Sequence, residues 1–234
     1  MRLEDILHRQ PVWRGASLAH CPPGVSTGWD ALDAALPGGG WPAGELTELL
    51  LDTKGIGELQ LVLPALRKLT ASGKRIVWLA PPYLPYPPAL AAAGLDLAQL
   101  ALVQPSSRRD ALWAAEQVLR SRASQALLAW LPRLRYVELQ RLAVAAEAGS
   151  GLTFLFRPSA VAREPSPAGL RLALEAGPGE LLLHIVKRRG APVARPLRLP
   201  LRSLPCHALG RSALSPASAR DGRADRRLDL PVHA

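Results

Sequence analysis

The residues with the types to do chemistry lie in LLLDTKGIGELQL, residues 49–61, where an apolar run gives way to glycines and then to a helical pattern. A loop that holds nucleotide phosphates there takes the form G-x-x-x-x-G-K-[ST]. Its backbone N–H groups cradle the anion, its Lys neutralises charge and its hydroxyl binds magnesium. In this chain Lys54 precedes Gly55 and Gly57 instead of opening the helix. Aligned without a gap, Gly57 and Glu58 fall on the Lys and hydroxyl places, and a shift of one residue puts Glu58 and Leu59 there. No alignment in the window supplies both groups. A carboxylate at Glu58 would also repel triphosphate at the helix end that attracts anions. Lys54, Gly55, Gly57 and Glu58 therefore read as a degenerate phosphate loop that holds no cofactor. The five histidines are scattered and offer no general base, and Cys21 and Cys206 stand far apart without histidine neighbours. Neither a metal site nor a disulfide framework is indicated.

Charge points to partners more than to catalysis. The chain of 234 residues carries a formal charge of +10, and from Val186 onward eleven basic residues face three acidic ones. Such asymmetry suggests an anionic partner, nucleic acid or an acidic protein surface, reached through the C-terminal part. Hydrophobic residues make up 48% of the chain, enough for a substantial core. The apolar runs are short and broken by Pro and Gly, so no membrane helix is expected. MRLEDILHRQ lacks the apolar stretch of a secretory signal, and a cytoplasmic location follows as the expectation.

The elements that must position these groups follow a regular alternation. Residues 2–9 pattern as a short amphipathic helix, and a second helix, capped at Ser26 and Thr27, is expected to run to about Leu36. ELTELLL, RIVWLA, LALVQ, QALLAW and LTFLF read as strands. ELQLVLPALRKLTASG, YPPALAAAG, RDALWAAEQVLRS and YVELQRLAVAAEAG read as helices. Pro64 inside the first of these conflicts with its helical pattern. Apolar strands joined by helical crossovers predict an α/β fold, a mostly parallel sheet flanked by helices. After residue 165 three turn-bounded runs predict C-terminal antiparallel strands, and from Ser203 periodicity disappears. Trp78 and Trp113 are expected in the core, and Trp41, on its glycine loop, partly exposed.

The segment VSTGWDALDAALPGGGWPAGELTELL resembles the approach to the phosphate loop in the RecA family, of the form STG-x-x-x-LD-x-x-L-GGG-x-P-x-G-x-x-x-EI. Thr27, Gly28, Leu32, Asp33, Leu36, Gly38, Gly39, Gly40, Pro42, Gly44 and Glu48 match in spacing. The resemblance implies a RecA-like core, yet where that family carries its catalytic Glu, its magnesium-supporting Asp and its γ-phosphate sensor stand Pro82, Trp130 and Arg157 with Pro158. Nucleotide hydrolysis is not expected. Arg133, Arg135, Arg157 and Arg163, on the loops that correspond to the family's DNA-binding loops, are candidates either for phosphate contact or for a solvated face.

GGGWP, GIGELQL and APPYLPYPPALAAAGLDL together resemble the ImuA family of degenerate RecA-like proteins. That resemblance implies a non-catalytic adaptor of SOS-induced, error-prone translesion synthesis in the DNA damage response. Its implied partners are ImuB, RecA and an error-prone DNA polymerase. The alternative is a SulA-type inhibitor of cell division that blocks polymerisation of the tubulin-like FtsZ. The organisation expected is an N-terminal helix and linker at 1–24, a core at 25–202 and a basic tail at 203–234. Leu3, Ile6, Leu7 and Trp13, with Leu228 and Leu230, are candidate partner-binding residues. Arg220, Arg223, Arg226 and Arg227 are candidates for weak nucleic-acid contact.

Overall fold

The computed structural model describes residues 22–193 and 195–201. The expectations placed on Leu3, Ile6, Leu7, Trp13, Arg220, Arg223, Arg226, Arg227, Leu228 and Leu230 fall outside the described residues.

Eight strands form one sheet: β1 (Leu46–Leu50), β2 (Ile76–Leu79), β3 (Leu100–Val103), β4 (Ala126–Trp130), β5 (Leu152–Arg157), β6 (Leu170–Gly177), β7 (Glu180–Lys187) and β8 (Leu197–Pro200). Their spatial order is β3-β2-β4-β5-β1-β6-β7-β8. β1 is parallel to both β5 and β6, and β2 is parallel to both β3 and β4. β7 runs antiparallel to β6 and β8, so the sheet is mixed. All five positions of β1 are buried, as are all six of β5, consistent with strands covered on both faces.

The helices are α1 (Asp30–Ala35), α2 (Glu58–Ala71), α3 (Pro87–Ala92), α4 (Arg108–Ser121) and α5 (Tyr136–Glu147). Leu32 of α1, Leu61, Val62 and Leu66 of α2 and Leu90 of α3 join one core cluster with Trp78, Phe154 and Phe156. Ala111 and Ala115 of α4 and Leu139, Leu142 and Ala146 of α5 join another on the opposite face, with Leu79, Leu127 and Leu155. Among the described residues no helix is long and apolar enough to cross a membrane.

Several local expectations are corrected. The first described helix begins at Asp30, not at Ser26, because Ser26 and Thr27 are engaged elsewhere. The Thr27 N–H donates to Asp33 Oδ1 at 2.8 Å and the Ser26 hydroxyl to Asp33 Oδ2 at 3.0 Å, folding the approach back onto the helix. α2 passes through Pro64 without breaking. Space for the ring comes from Gly28, whose φ is +82° and at which a Cβ would lie 2.4 Å from Pro64 Cβ. The glycine loop does not expose Trp41: Val25 and Trp41 exchange two backbone hydrogen bonds, and the indole is fully buried, edge-on to Phe154 at 5.0 Å. Trp113, expected in the core, is 64% exposed on the outer face of α4.

Candidate functional site at the carboxyl edge of the sheet

Parallel strands with helical crossovers place the loops that follow each strand on one edge, where open α/β sheets bind their ligands. In spatial order these loops follow β3, β2, β4, β5 and β1. An open cleft of about 750 Å³ lies among them, lined by Leu51, Asp52, Lys54, Ala80, Pro82, Trp130, Pro132, Phe156, Arg157 and Pro158.

The floor of the cleft is aromatic. Trp130 stacks on Phe156 with centroids 4.4 Å apart and planes 6° from parallel, and Trp78 lies 5.9 Å from Trp130. The register that pairs Trp130 with Phe156 across β4 and β5 brings these two rings together. The ring at 130 gives this part of the cleft an apolar surface.

The segment expected to be a degenerate phosphate loop is closed by its own carboxylate at the start of α2. Glu58, the first residue of α2, is buried, and its Oε1 accepts the Gly55 N–H at 2.8 Å. Its carboxylate thus occupies the region where backbone N–H groups would meet an anion. Gly57, at φ +107°, lies under Leu201, whose Cδ2 would be 2.6 Å from a Cβ placed there. Lys54 is exposed and stands 5.9 Å from the centroid of the Tyr83 ring, and the Ser159 hydroxyl donates to Asp52. The residues present do not fit a magnesium-bound triphosphate: Lys54 lies over an aromatic ring, Arg157 is paired with Glu48, and the helix end carries a negative group.

Arg157 neither touches solvent nor offers itself to a phosphate backbone, which corrects both readings of it. Its Nη1 pairs with Glu48 Oε1 at 2.7 Å, and Arg171 Nε pairs with Glu48 Oε2 at 2.5 Å, all three side chains at most 5% exposed. The sheet register sets this up, since Arg171 lies directly opposite Glu48 and Arg157 opposite Leu50, one step along the same face. Arg171 also donates to the carbonyl oxygens of Val161, Ala162 and Glu164, holding the short helical turn Ser159–Arg163 against the end of the sheet. Arg171 was not singled out in the sequence. Its only signal is a basic residue at an inward position of a strand, as with Glu48.

The outer rim of this edge is exposed. Ala80 takes a left-handed φ of 52°, turning the chain out of β2 into a loop whose Tyr83, Leu84 and Tyr86 are 72%, 77% and 59% exposed. The neighbouring loops tie in to it and to each other: Gln104 Nε2 donates to the Pro81 carbonyl at 3.3 Å, and Arg108 Nε to the Arg133 carbonyl at 2.9 Å. Arg108 and Arg135 both pair with Glu138 on the first turn of α5, whose carboxylate also accepts the Arg135 N–H at 2.7 Å. Burial alone would push the Glu138 carboxyl up, but the Arg135 backbone and both guanidinium groups together hold it below its ordinary value. Among the described residues no cluster of His, Cys, Asp or Glu could hold a metal ion.

Comparison with known proteins finds similarity in this region. A family model described as cell division inhibitor SulA matches residues 44–153. The chain is similar to SulA of Edwardsiella piscicida, 32% identical over 98 residues, which cover 42% of this chain and 58% of that protein. It is similar to SulA of Photorhabdus laumondii, 30% identical over 112 residues, 48% of this chain and 63% of that one. The chain thus spans about three-fifths of the length of these two relatives. Among solved structures, SulA from Pseudomonas aeruginosa matches with 26% identity and a TM-score of 0.41, covering 48% of this chain and 97% of that one.

These matches overturn the ImuA resemblance, because the family model and the curated relatives are SulA. The RecA-like core and phosphate-loop reading are corrected with it, because the family model and the curated relatives are SulA. The expected role in translesion synthesis and DNA repair, and the expected partners ImuB, RecA and an error-prone polymerase, fall for the same reason. The residues quoted for the resemblance have local structural uses here. Asp33 ties down the approach to α1, the glycines let Val25 and Trp41 pair, and Glu48 binds two buried arginines.

Proposed function

We propose that this chain is a SulA-type inhibitor of cell division that acts by binding FtsZ and preventing its polymerisation, without nucleotide turnover of its own. The observation that carries the reading is the extent of the family match. Residues 44–153 run from the approach to β1 into β5 and contain the loops after β1, β2, β3 and β4 that form the rim and much of the cleft. A protein that works by occupying a partner needs surface and not turnover. The edge supplies that surface, with an aromatic floor, exposed Tyr83 and Leu84, and a loop before α2 closed by Glu58.

The test is assembly of purified FtsZ with GTP and magnesium, followed by sedimentation and light scattering while the full chain is titrated in. Pelletable polymer is expected to fall in proportion to added chain and vanish near stoichiometric ratio. Undiminished polymer at tenfold excess overturns the proposal. Titration calorimetry with magnesium and ATP is expected to show no heat of binding at millimolar nucleotide, and a micromolar dissociation constant would refute the non-catalytic part.

A further inference from the structure

The amino edge of the sheet, opposite the rim, carries an apolar pocket that no described element fills. Its walls are Leu36 and Pro37 after α1, Pro42 and Ala43 before β1, Leu170 at the start of β6 and Arg188 beyond β7. The pocket has a volume of about 430 Å³ and shares Ala43, Glu45 and Arg188 with a wider groove of about 1040 Å³, which runs to Ala143 and Glu147 at the end of α5. Glu45 is paired with Arg189 at 2.8 Å. Lys187, which is exposed, instead donates to the Ser166 carbonyl at 2.8 Å, and Arg188 to the carbonyls of Ala35 and Ala191. Carbonyl oxygens orient these two cations without neutralising them. Pro22 lines both the pocket and the groove. It is fixed there, since the Gly24 N–H donates to the Gly38 carbonyl at 2.7 Å and the Pro22 carbonyl oxygen lies 2.8 Å from where a Cβ on Gly38 would stand. The chain that precedes Pro22 therefore emerges at this pocket.

We propose that the pocket is the docking site of the chain's own residues 2–9. In that segment Leu3, Ile6 and Leu7 share one face at helical spacing, and Glu4 flanks it. The apolar face enters the pocket, and the Glu4 carboxylate meets Lys187 and Arg188. Residues 10–21 span about 40 Å when extended, ample length to double back from Pro22. The tether also decides between copies: a linked segment is present at an effective concentration on the order of millimolar, far above that of a second chain in dilute solution. A stretch this short holds little helix alone in water, so packing in the pocket is what orders it. This contact lies at the edge remote from the rim and stands whether or not the chain inhibits FtsZ.

The experiment is zero-length carbodiimide cross-linking of the full chain, read by mass spectrometry on an equal mixture of light and isotopically heavy chains. The chain has four lysines, Lys54, Lys68, Lys74 and Lys187, and of these Lys187 alone lines the groove. A link from Glu4 to Lys187 within one chain is expected. The L3S/I6S variant, shown to be folded by circular dichroism and thermal melting, should lower the yield of that link at least tenfold. V137S, on an exposed position at the far end of α5, should leave it unchanged. A link that L3S/I6S leaves intact reflects the tether alone and overturns the docking site, as does the absence of any link from Glu4 to Lys187. Links that join light to heavy chains assign the pocket to a second copy and equally overturn the proposal.

Discussion

Two glutamates in this molecule each bind two arginines, and they do so on different terms. Glu48 sits mid-strand with both partners buried beside it, joining β1, β5 and β6. Glu138 is equally buried, but it sits on the first turn of α5 and its partners Arg108 and Arg135 have side chains 49% and 81% exposed. In the first cluster three charges have been taken from water, and each depends on the others for its solvation. In the second, the arginines keep their water and the glutamate's firmest commitment is to the backbone N–H of Arg135. The same residue types therefore serve as an interior tie in one place and as a helix cap with solvated partners in the other.

The largest expected effect breaks the interior tie. Glu48→Gln leaves Arg171 buried without a countercharge and Arg157 with only the exposed Glu164 carboxylate at 3.9 Å, and should destabilise the fold by about 3–5 kcal/mol, measured by urea unfolding. A loss below about 1 kcal/mol would show that water or a neighbouring carboxylate takes over its role. The triple replacement E48L/R157M/R171M sharpens the comparison. It should recover much of that loss but not all, because the carbonyls of Val161, Ala162 and Glu164 lose the donors that Arg171 gave them.

Next in size is Glu138→Gln, which weakens the cap at α5 and should cost on the order of 1 kcal/mol near neutral pH. Its effect is tied to pH. The folded-state carboxyl titrates below its ordinary value, so the charged cap's contribution is present above the unfolded-state pKa and is lost as pH falls through the folded-state pKa. Unfolding curves of wild type and E138Q should accordingly draw together as pH falls below the ordinary carboxylate range, and a gap that stays constant throughout that fall would refute a charge-dependent cap. The smallest effect belongs to Arg135→Ala. Its guanidinium is largely in water, and the change should stay within about 0.5 kcal/mol, since its backbone N–H still reaches Glu138.

The comparison also marks what could be read along the chain. The alternation of strand and helix was legible because each element is specified locally, as in RIVWLA or RDALWAAEQVLRS, whose apolar spacing needs no knowledge of neighbours. The pairing of Glu48 with Arg157 and Arg171 was not, since it joins residues 109 and 123 positions apart and exists only through sheet register. Without that register Glu48 passed as one letter of a motif and Arg157 as a candidate for DNA contact. Trp41 and Trp113 exchanged roles for a related reason: the glycine loop is closed by a pairing with Val25, and the outer face of α4 has no described element over it. The rim is partly legible, because the prolines of APPYLPYPP mark a loop, but nothing in the run itself says that Tyr83, Leu84 and Tyr86 face solvent. The division-inhibitor reading stood as the alternative, since nothing in the degenerate phosphate loop separates it from an adaptor.

The contact between Gly28 and Pro64 has a consequence for how this sequence can change. A proline in the middle of α2 is accommodated only because nothing projects from residue 28, and residue 28 is held in a conformation that other residues rarely adopt. Each position thus sets the terms on which the other varies. Replacing Pro64 by alanine restores an amide to the helix but keeps the Cβ that a side chain at 28 would meet at 2.4 Å, so that contact is cleared only by glycine at 64. The reverse order, a side chain at 28 first, meets the ring at once and is closed to drift. The two sites, 36 residues apart in the chain, have a preferred order of substitution, and a library randomising both should recover non-glycine residues at 28 only among clones that carry glycine at 64.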